Sequence, residues 1–291
     1  MGIKGLKNLI NKNAPDGIVP FDISLLKGKR VAIDSSILLY KYRYLYSSDN
    51  FHILGFTSKI KELQNLGAIG YFVFDGTPPE AKKKVLSERS DNRKKQMERL
   101  SEISLELAKF ESTNVSEFIE SDDEEDSTKS VEIKKIKKLL AEENKIKKNL
   151  LIVTKNHSLE VIELLKSLGI NFFQATTEAE KECAFLQKTG QVDYILTEDT
   201  DALTFGGSNV IFSKNGFYQL CDLKLVLSGL EISFESFVDL CILCGCDYTG
   251  TIPKIGPVTA LKLIKRHQRI ENLGIAVPDS FEYQMARNLF N

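Results

Sequence analysis

The chain has 291 residues, of which 42% are hydrophobic, enough for a sizeable core in one large domain or two small ones. The 39 basic residues nearly balance the 40 acidic ones, so the net charge of −1 does not by itself indicate a nucleic-acid-binding protein. Five cysteines without regular pairing argue against a disulfide framework, and no apolar run approaches the roughly 20 residues of a membrane span. We therefore expect a soluble, intracellular protein, without a preference between nucleus and cytoplasm.

Five segments have the composition of β-strands. Residues 30–34, 71–75 and 194–197 form nearly continuous apolar runs, and residues 171–174 and 209–212 are weaker candidates. Continuous apolar runs are typical of strands that are buried on both faces of a parallel sheet.

Helical patterns separate these strands and follow the last of them. They predict helices over residues 57–66, 157–168, 177–189, 234–243 and 258–267. The alternation predicts an α/β domain with a mostly parallel central sheet flanked by helices.

Residues 82–149 interrupt this alternation with a highly charged insertion. Helices are predicted over residues 83–110 and 131–148. Residues 112–130 include the acidic stretch 120–126 and contain few apolar residues, which predicts disorder. A long insertion between sheet strands is usually a lid or binding loop, or a flexible spacer.

The remaining regions of this single domain are assigned around the insertion. They are an N-terminal region of residues 1–81, an internal region of residues 150–232 and a C-terminal helical pair of residues 233–270.

Seven carboxylates occur where predicted strands end or helices and turns begin. They are Asp34, Asp75, Glu178, Glu180, Asp199, Asp201 and Asp247. The acids that end parallel strands should converge at one edge of the sheet, in the crevice where strand order reverses. Converging acids without a basic partner repel one another, so such a site needs bound cations. Oxygen ligands without His or Cys suit Mg²⁺ or Mn²⁺, which favours metal-assisted chemistry on phosphate.

Three local features of these segments depend on their structural context. Thr177 and Glu180 match a capping box, so the two glutamates could serve only as a helix cap. Asp201 points the same way as Asp199 if the backbone stays extended between them. The cysteines at positions 241, 244 and 246 could suggest zinc, but without a second ligand pair we expect buried apolar residues.

The C-terminal helical pair is joined by a turn-rich segment, residues 245–256, which contains glycines. Such a connection can aim backbone N–H groups and a helix N-terminus at a phosphate. Lys254, Lys262 and Lys265 supply positive charge nearby. An ordinary helical pair with a solvated basic face is an equally good interpretation of this segment alone.

Seven short motifs together resemble those of the flap endonuclease family of structure-specific 5′ nucleases. They are residues 1–6, 31–34, 73–76 with Pro78 and Pro79, 178–180, 197–201 with 203–206, 245–248 and 255–257. Their shared order and approximate spacing make the resemblance specific. It covers almost the whole chain outside the charged insertion, which corresponds to a helical arch, and the C-terminal pair resembles the family's helix–two-turn–helix.

The resemblance implies that the seven acids hold two Mg²⁺ ions, for which Mn²⁺ can substitute, and that the ions assist phosphodiester hydrolysis. It implies that Lys82 and Arg89 steer the scissile phosphate. On one helix these residues would be two turns, about 10 Å, apart; the alternative is a solvated helix face. Tyr40 is expected to stack on a nucleobase, with core packing as the alternative.

The resemblance also implies further DNA contacts and a second kind of ion. Residues expected to contact DNA are Gly2, Tyr40, Lys254, Gly256, Lys262 and Lys265. A K⁺ ion is expected at the helix–two-turn–helix. Gly256 would permit close approach of a phosphate.

The chain departs from the family pattern in three places. The stretch between Asp34 and Asp75 is short, which leaves a preference for double flaps open. The stretch between Arg89 and Glu178, residues 90–177, is 88 residues long, which predicts an enlarged arch. No sliding-clamp-binding motif is visible.

We expect a monomeric enzyme of DNA replication or repair that acts on DNA with a 5′ single-stranded flap or junction. A 5′-3′ exonuclease, or a bubble or junction nuclease of the same superfamily, is the nearest alternative. A catalytically silent DNA-binding protein and a phosphatase of small substrates are alternatives from other classes.

Overall fold

The computed structural model describes residues 2–46, 48–117, 127–214 and 216–291. These residues form two compact units, one of Met1–Lys83 with Val153–Asn291 and one of Lys84–Ile152. The second unit lies within three residues of the predicted insertion at each end. The first unit contains the sheet, and the second contains helices of the predicted insertion.

The first unit contains one seven-stranded sheet. In chain order its strands are β1 (Ile18–Pro20), β2 (Arg30–Asp34), β3 (Ile69–Phe74), β4 (Asn171–Gln174), β5 (Tyr194–Leu196), β6 (Asn209–Lys214) and β7 (Phe217–Asp222). Their order across the sheet is β1-β7-β6-β5-β2-β3-β4. Strands β6, β5, β2, β3 and β4 are parallel neighbours, and β7 is antiparallel to both β6 and β1.

The order of the parallel strands reverses beside β2. Strands β3 and β4 continue on one side of β2, whereas β5 and β6 lie on its other side. The crevice at the carboxyl ends of β2 and β5 is therefore the switch point at which α/β sheets bind ligands.

The helices of the described residues precede, connect or follow these strands. They are α1 (Leu6–Asn13), α2 (Ser35–Leu45), α3 (Phe51–Leu66), α4 (Lys83–Glu117), α5 (Ser127–Asn149), α6 (Lys155–Ser167), α7 (Ala179–Lys188), α8 (Asp201–Thr204), α9 (Leu223–Leu230), α10 (Phe234–Cys244), α11 (Pro257–His267) and α12 (Tyr283–Phe290). None of them is both long enough and apolar enough to cross a membrane.

The sheet has a hydrophobic core on each face, as the continuous apolar strands predict. Val31 and Ile33 pack in one cluster with Phe72, while Ala32 and Val73 belong to the other. Alternate residues of a strand point to opposite faces, so a strand buried on both faces has no polar positions.

The predicted strands are found within two residues of their predicted ends, but other features differ. Strands β1 and β7 were not predicted, and neither were helices α1, α2, α8, α9 and α12. Helix α3 begins six residues earlier than predicted. The predicted disorder over 112–130 is wrong at its ends, because α4 extends to Glu117 and α5 begins at Ser127. Residues 118–126, which include the acidic stretch 120–126, lie outside the described residues, so the prediction of disorder there is not tested.

A physical reason accounts for the longer helices of the second unit. Ile103 of α4 packs against Leu139 and Ile146 of α5, which gives these charged helices a small core. Once a helix is nucleated, each further residue adds a hydrogen bond at little cost, so it extends past the segment that packs.

A buried ion pair joins three elements of the first unit behind the helical pair. Asp239 of α10 is fully buried and accepts two hydrogen bonds of 2.7 Å from the Arg287 guanidinium of α12. The backbone N–H of Ile270 also donates to Asp239, at 3.1 Å. Arg287 pairs in addition with Glu271 and lowers the pKa of that carboxyl to about 2.

We predict that Asp239→Ala destabilises the protein by about 3–5 kcal/mol, because it removes the buried carboxylate to which Arg287 and the Ile270 N–H donate and leaves Arg287 with Glu271 alone. The midpoint of urea denaturation, converted with the measured slope, would give this value. Lys166→Ala, which removes an exposed pair with Glu163, is the control and should change stability little. A loss for Asp239→Ala as small as that of the control would contradict the role assigned to the buried pair.

Candidate active site

The seven predicted acids lie around the switch point of the sheet. Asp34 ends β2, Asp75 directly follows β3, and Glu178 and Glu180 lie at the start of α7. Asp199 and Asp201 follow β5, and Asp247 comes from the loop after α10. Charge repulsion links these carboxylates into a single group. The negative charges of Asp34, Asp75 and Asp199 help to raise the pKa of Glu180. Those of Glu178, Asp199 and Asp247 do the same for Asp201.

Asp34 is held by two donors at the end of β2. Its Oδ1 accepts the backbone N–H of Ile37 at 3.1 Å, so Asp34 caps helix α2. Its Oδ2 accepts the Thr197 hydroxyl at 2.8 Å. Thr197 in turn accepts the backbone N–H of Asp199 at 3.0 Å, so one threonine connects the ends of β2 and β5.

The backbone turns between Asp199 and Asp201 instead of staying extended. The N–H of Asp201 donates to Asp199 Oδ1 at 3.0 Å, and Asp201 begins the short helix α8. The expectation that extended backbone aims both side chains the same way is therefore wrong, because the local hydrogen bond favours a turn. The two side chains are nevertheless both buried.

The predicted capping box at the start of α7 does not form. The helix begins at Ala179 with Glu178 as its N-cap residue, and no side chain of the helix start caps it. The N–H of Ala179 instead donates to Asp75 Oδ1 at 2.9 Å. Because Asp75, the residue after β3, supplies the cap, neither Glu178 nor Glu180 is needed for it, and both can face the site.

Gly76 allows the chain after β3 to approach the segment before α7. A Cβ atom at this position would lie 2.1 Å from the carbonyl oxygen of Ala175, closer than any side chain permits. Gly76 also donates its N–H to the Thr177 carbonyl at 2.7 Å. This contact brings Asp75 and Glu178 to the same side of the sheet edge.

Burial and mutual repulsion oppose ionisation of the acids. Burial raises the pKa of Asp34 to about 7, and Asp75 and Asp199 add to the effect against the two hydrogen bonds that Asp34 accepts. Burial also raises the pKa of Glu180, Asp199 and Asp201, with further increases from neighbouring carboxylates. A bound cation would reverse this cost, since it favours the charged form.

The chemistry of the donors fits a divalent cation with oxygen ligands. Asp201 Oδ1 is buried and has no hydrogen-bond partner among the described residues, so it presents a free acceptor inside the cluster. Across the described part of the chain, no three His, Cys, Asp or Glu side chains already surround a common metal position. The acids thus have the right chemistry and proximity, and ligation would require side-chain adjustments.

Lys82 is the basic residue that the structure places among the acids. Its ammonium pairs with Glu178 Oε1 and lies 3.6 Å from Asp247 Oδ2. Burial by itself lowers the pKa of Lys82, but Glu178, Glu180 and Asp247 together raise it above its ordinary value. Lys82 therefore remains charged at neutral pH.

Lys82 and Arg89 do not lie on one helix, the arrangement in which they would be two turns apart. Lys82 ends a short 3₁₀ turn, Glu80–Lys82, and α4 begins only at Lys83. Arg89 lies in α4, in the second unit, where its side chain is exposed.

Tyr40 is 57% exposed on α2, so the core-packing interpretation of this residue is wrong. The tyrosine that enters the core is Tyr42, whose ring meets Phe56 edge-on at 5.5 Å.

Gly2 lies against the acid cluster. A Cβ on Gly2 would be 2.1 Å from Asp199 Oδ1, and Gly2 has a positive φ of 85°.

The C-terminal helical pair is α10 and α11. Lys254, Lys262 and Lys265 are exposed, although Lys265 pairs with Glu231 at 2.9 Å. Gly256 is the N-cap residue of α11, and a Cβ there would meet nothing within 4 Å, so the helix start is open to solvent. The cysteines at positions 241, 244 and 246 are buried in the apolar core, as predicted.

Sequence reasoning missed two residues that hold acids in place. Thr197 follows β5 and was considered only as part of a strand and motif. Tyr248 was quoted in a motif without a role, yet its hydroxyl donates to Glu178 Oε2. A polar residue between an apolar strand and an acidic pair was the available signal for Thr197. No local signal distinguishes Tyr248 from a core tyrosine.

Buried acids at the switch point of a mostly parallel sheet, next to an exposed basic helical pair, fit the chemistry of a metal-dependent nuclease. Models of the XPG N-terminal domain and the XPG I-region match residues 1–96 and 169–247. Flap endonuclease 1 of Cryptosporidium muris (strain RN66) is 36% identical over the whole chain, which spans 62% of that relative. Flap endonuclease 1-B of Physcomitrium patens is 34% identical, again over the whole chain and 81% of the relative.

Solved structures show the same fold. The catalytic core of Rad2 in complex with DNA substrate superposes with a TM-score of 0.71 and 22% identity, covering 99% of this chain and 86% of that one. Flap endonuclease-1 from Methanococcus jannaschii has a TM-score of 0.62 and 21% identity, over 94% and 81% of the two chains. The chain belongs to the flap endonuclease family of metal-dependent DNA nucleases.

We predict that the acid cluster makes stability depend on pH in a way that Mg²⁺ reverses. The pKa of Asp34 is raised from 3.8 to about 7, so its contribution to stability is present below pH 3.8 and lost as the pH rises through about 7. In EDTA the melting temperature should therefore fall over this range relative to an Asp34→Asn variant. Saturating Mg²⁺ should restore it at the higher pH.

Asp222→Asn is the matched control for this measurement, because Asp222 also caps a helix, α9, but lies outside the acid cluster. Its pH profile should parallel that of the wild type. A wild-type profile that parallels Asp34→Asn would contradict the raised pKa of Asp34.

Proposed function

We propose that this chain is a Mg²⁺-dependent, structure-specific 5′ nuclease that hydrolyses DNA phosphodiesters near junctions between single-stranded and duplex DNA. The observation that carries the proposal is the convergence of seven carboxylates at the switch point in a chain of the flap endonuclease family. The product expected is a 5′-phosphate.

The residues proposed to hold two Mg²⁺ ions are Asp34, Asp75, Glu178, Glu180, Asp199, Asp201 and Asp247. When bound, Mg²⁺ supplies Lewis-acid stabilisation of phosphate charge and lowers the pKa of water. Mn²⁺, which prefers the same oxygen ligands, is expected to substitute. The unpartnered Asp201 Oδ1 and the raised pKa values of the buried acids support this assignment.

Lys82 and Arg89 are proposed to position the phosphodiester to be cut. The support for Lys82 is its ammonium among the acids, where it can contact a phosphate oxygen that enters the site. A fixed positive charge at this point would stabilise the charge that develops on the phosphate during hydrolysis. The support for Arg89 is the family resemblance.

The surfaces proposed to contact DNA are α2 and the helical pair. Tyr40 presents an exposed ring for stacking on a base, and α11 begins at an open glycine, Gly256, where backbone N–H groups can meet a phosphate. Lys254, Lys262 and Lys265 add charge, and Gly2 borders the acids. A K⁺ ion at the helical pair stays a prediction from the family resemblance.

The preferred DNA shape depends on the segments around the site. Helices α2 and α3 are joined by residues 46–50 alone, a short connection in place of a long loop. We propose a single 5′ flap or a related 5′-ended junction as the substrate and monomeric binding to it. We propose no sliding clamp as a partner. Replication and repair are the processes that present such DNA.

We predict that the protein cuts labelled 5′-flap DNA with Mg²⁺ but not with Ca²⁺, and that Asp199→Asn abolishes cutting. Asparagine can still accept the Asp201 N–H, so the variant should fold and bind DNA like the wild type, while losing a charged ligand. Denaturing gels would map the cut on flap, nicked, bubble and four-way substrates, and a binding titration would measure affinity. Normal turnover by Asp199→Asn would refute the site.

We predict that Lys82→Ala lowers the single-turnover cutting rate roughly 10²-fold without a comparable change in the dissociation constant for DNA. Rapid quench at saturating enzyme would measure the chemical step. Lys83→Ala, which removes the adjacent exposed charge paired with Glu80, is the control and should retain the wild-type rate. An effect of Lys82→Ala on affinity alone would reduce Lys82 to a general phosphate contact.

A further inference from the structure

The hydroxyl of Tyr248 is buried within the acid cluster. Tyr248 is 2% exposed, and its hydroxyl donates a hydrogen bond to Glu178 Oε2. The other oxygen of the same carboxylate, Oε1, is paired with Lys82. Glu178 is therefore held by one neutral donor and one charged donor, each on its own oxygen.

Aromatic packing fixes the ring that carries this hydroxyl. The Tyr248 ring meets Phe290 of α12 edge-on, with ring centres 4.9 Å apart. Phe290 is itself buried and packs against Phe205 at 5.1 Å. Because aromatic side chains have only two rotatable bonds, this packing leaves the hydroxyl little freedom to move away from Glu178.

Helix α12 is also tied to α7, which carries the glutamates. The ammonium of Lys181 on α7 donates to the carbonyl oxygen of Leu289 at 2.8 Å. The end of α12 thus contacts α7 through Lys181 and supports the loop after α10 through Phe290. Tyr248 connects these two supports to the Glu178 carboxylate.

We propose that Tyr248 is a positioning residue that orients the Glu178 carboxylate toward bound Mg²⁺ and so sets the affinity of the site for the metal. This inference rests on the proposed function, in which Glu178 is a metal ligand. A carboxylate has about four acceptor positions on its two oxygens, so one hydrogen bond from Tyr248 leaves others for a cation while it restricts rotation. Donors of this kind around metal-binding carboxylates typically change metal affinity about 10–100-fold when removed.

A second tyrosine of the same chain offers a matched comparison. The Tyr218 hydroxyl donates to Glu62 Oε1 at 2.5 Å, and Tyr218 is partly buried on β7. Glu62 belongs to α3 and is not one of the seven acids. Tyr218→Phe therefore removes the same kind of hydrogen bond without touching the acid cluster.

The test is calorimetric titration of Mg²⁺ into wild-type protein, Tyr248→Phe and Tyr218→Phe in the absence of DNA. We expect Tyr248→Phe to bind Mg²⁺ about 10–100-fold more weakly and Tyr218→Phe to bind like the wild type. In cleavage assays the Mg²⁺ concentration for half-maximal rate should rise for Tyr248→Phe while the KM for DNA stays unchanged. Wild-type affinity in Tyr248→Phe, or an equal loss in Tyr218→Phe, would overturn the inference.

A second variant covers the case in which Tyr248→Phe does not fold, as judged by melting in EDTA. Phe290→Leu keeps the hydroxyl but loosens its support, and should weaken Mg²⁺ binding by a smaller factor. Unchanged Mg²⁺ affinity in Phe290→Leu would then overturn the inference.

The titration also separates this inference from the proposed function. A wild-type protein that binds no Mg²⁺ would overturn the role of Tyr248, because Glu178 would not be a metal ligand. If the wild type binds Mg²⁺ with the expected dependence on Tyr248 but cuts no DNA, the proposed nuclease function fails and the role of Tyr248 stands.

Discussion

The repulsion between carboxylates at one edge of the sheet is the constraint on which the rest of the structure depends. Parallel strands and the crossover between β2 and β5 bring acids to one place, and burial there makes the charges of Asp34, Glu180, Asp199 and Asp201 costly. The protein offsets part of the cost with donors: Ile37 and Thr197 to Asp34, and Ala179 to Asp75. The remaining negative charge defines a site that favours cations, with Lys82 as the positive side chain already present.

Several acids have a structural role in addition to their proposed chemical one. Asp34 caps α2, and Asp75 accepts the first N–H of α7, so the positive ends of two helices point toward the cluster. The same contacts that shape the site therefore also start its helices. Substituting these acids would disturb helix starts as well as charge, whereas Asp199 accepts the local N–H of Asp201, which asparagine can also accept.

Short-range patterns predicted the strands and the position of the acids well, and predicted helix starts and chain reversals poorly. Strand β2 was predicted with its observed ends because its apolar residues are continuous and Asp34 ends the run. Helix α2 was missed since it follows that strand without a break and is rich in tyrosine. The predicted capping box of α7 was wrong because the cap comes from Asp75, which is 104 residues away from Ala179. Tyr248 had no assigned role for the same reason, as its acceptor lies 70 residues earlier.

The sequence by itself determined the α/β class, the carboxyl-end location of the acids and the family. Composition and spacing along a strand or helix depend on neighbouring residues, so these features can be read locally. Only the tertiary structure decided which donor meets each carboxylate, that Lys82 lies among the acids and that Tyr248 orients Glu178. These contacts join residues separated by 70 to 163 positions, and their geometry depends on how the sheet, α7 and α12 pack together.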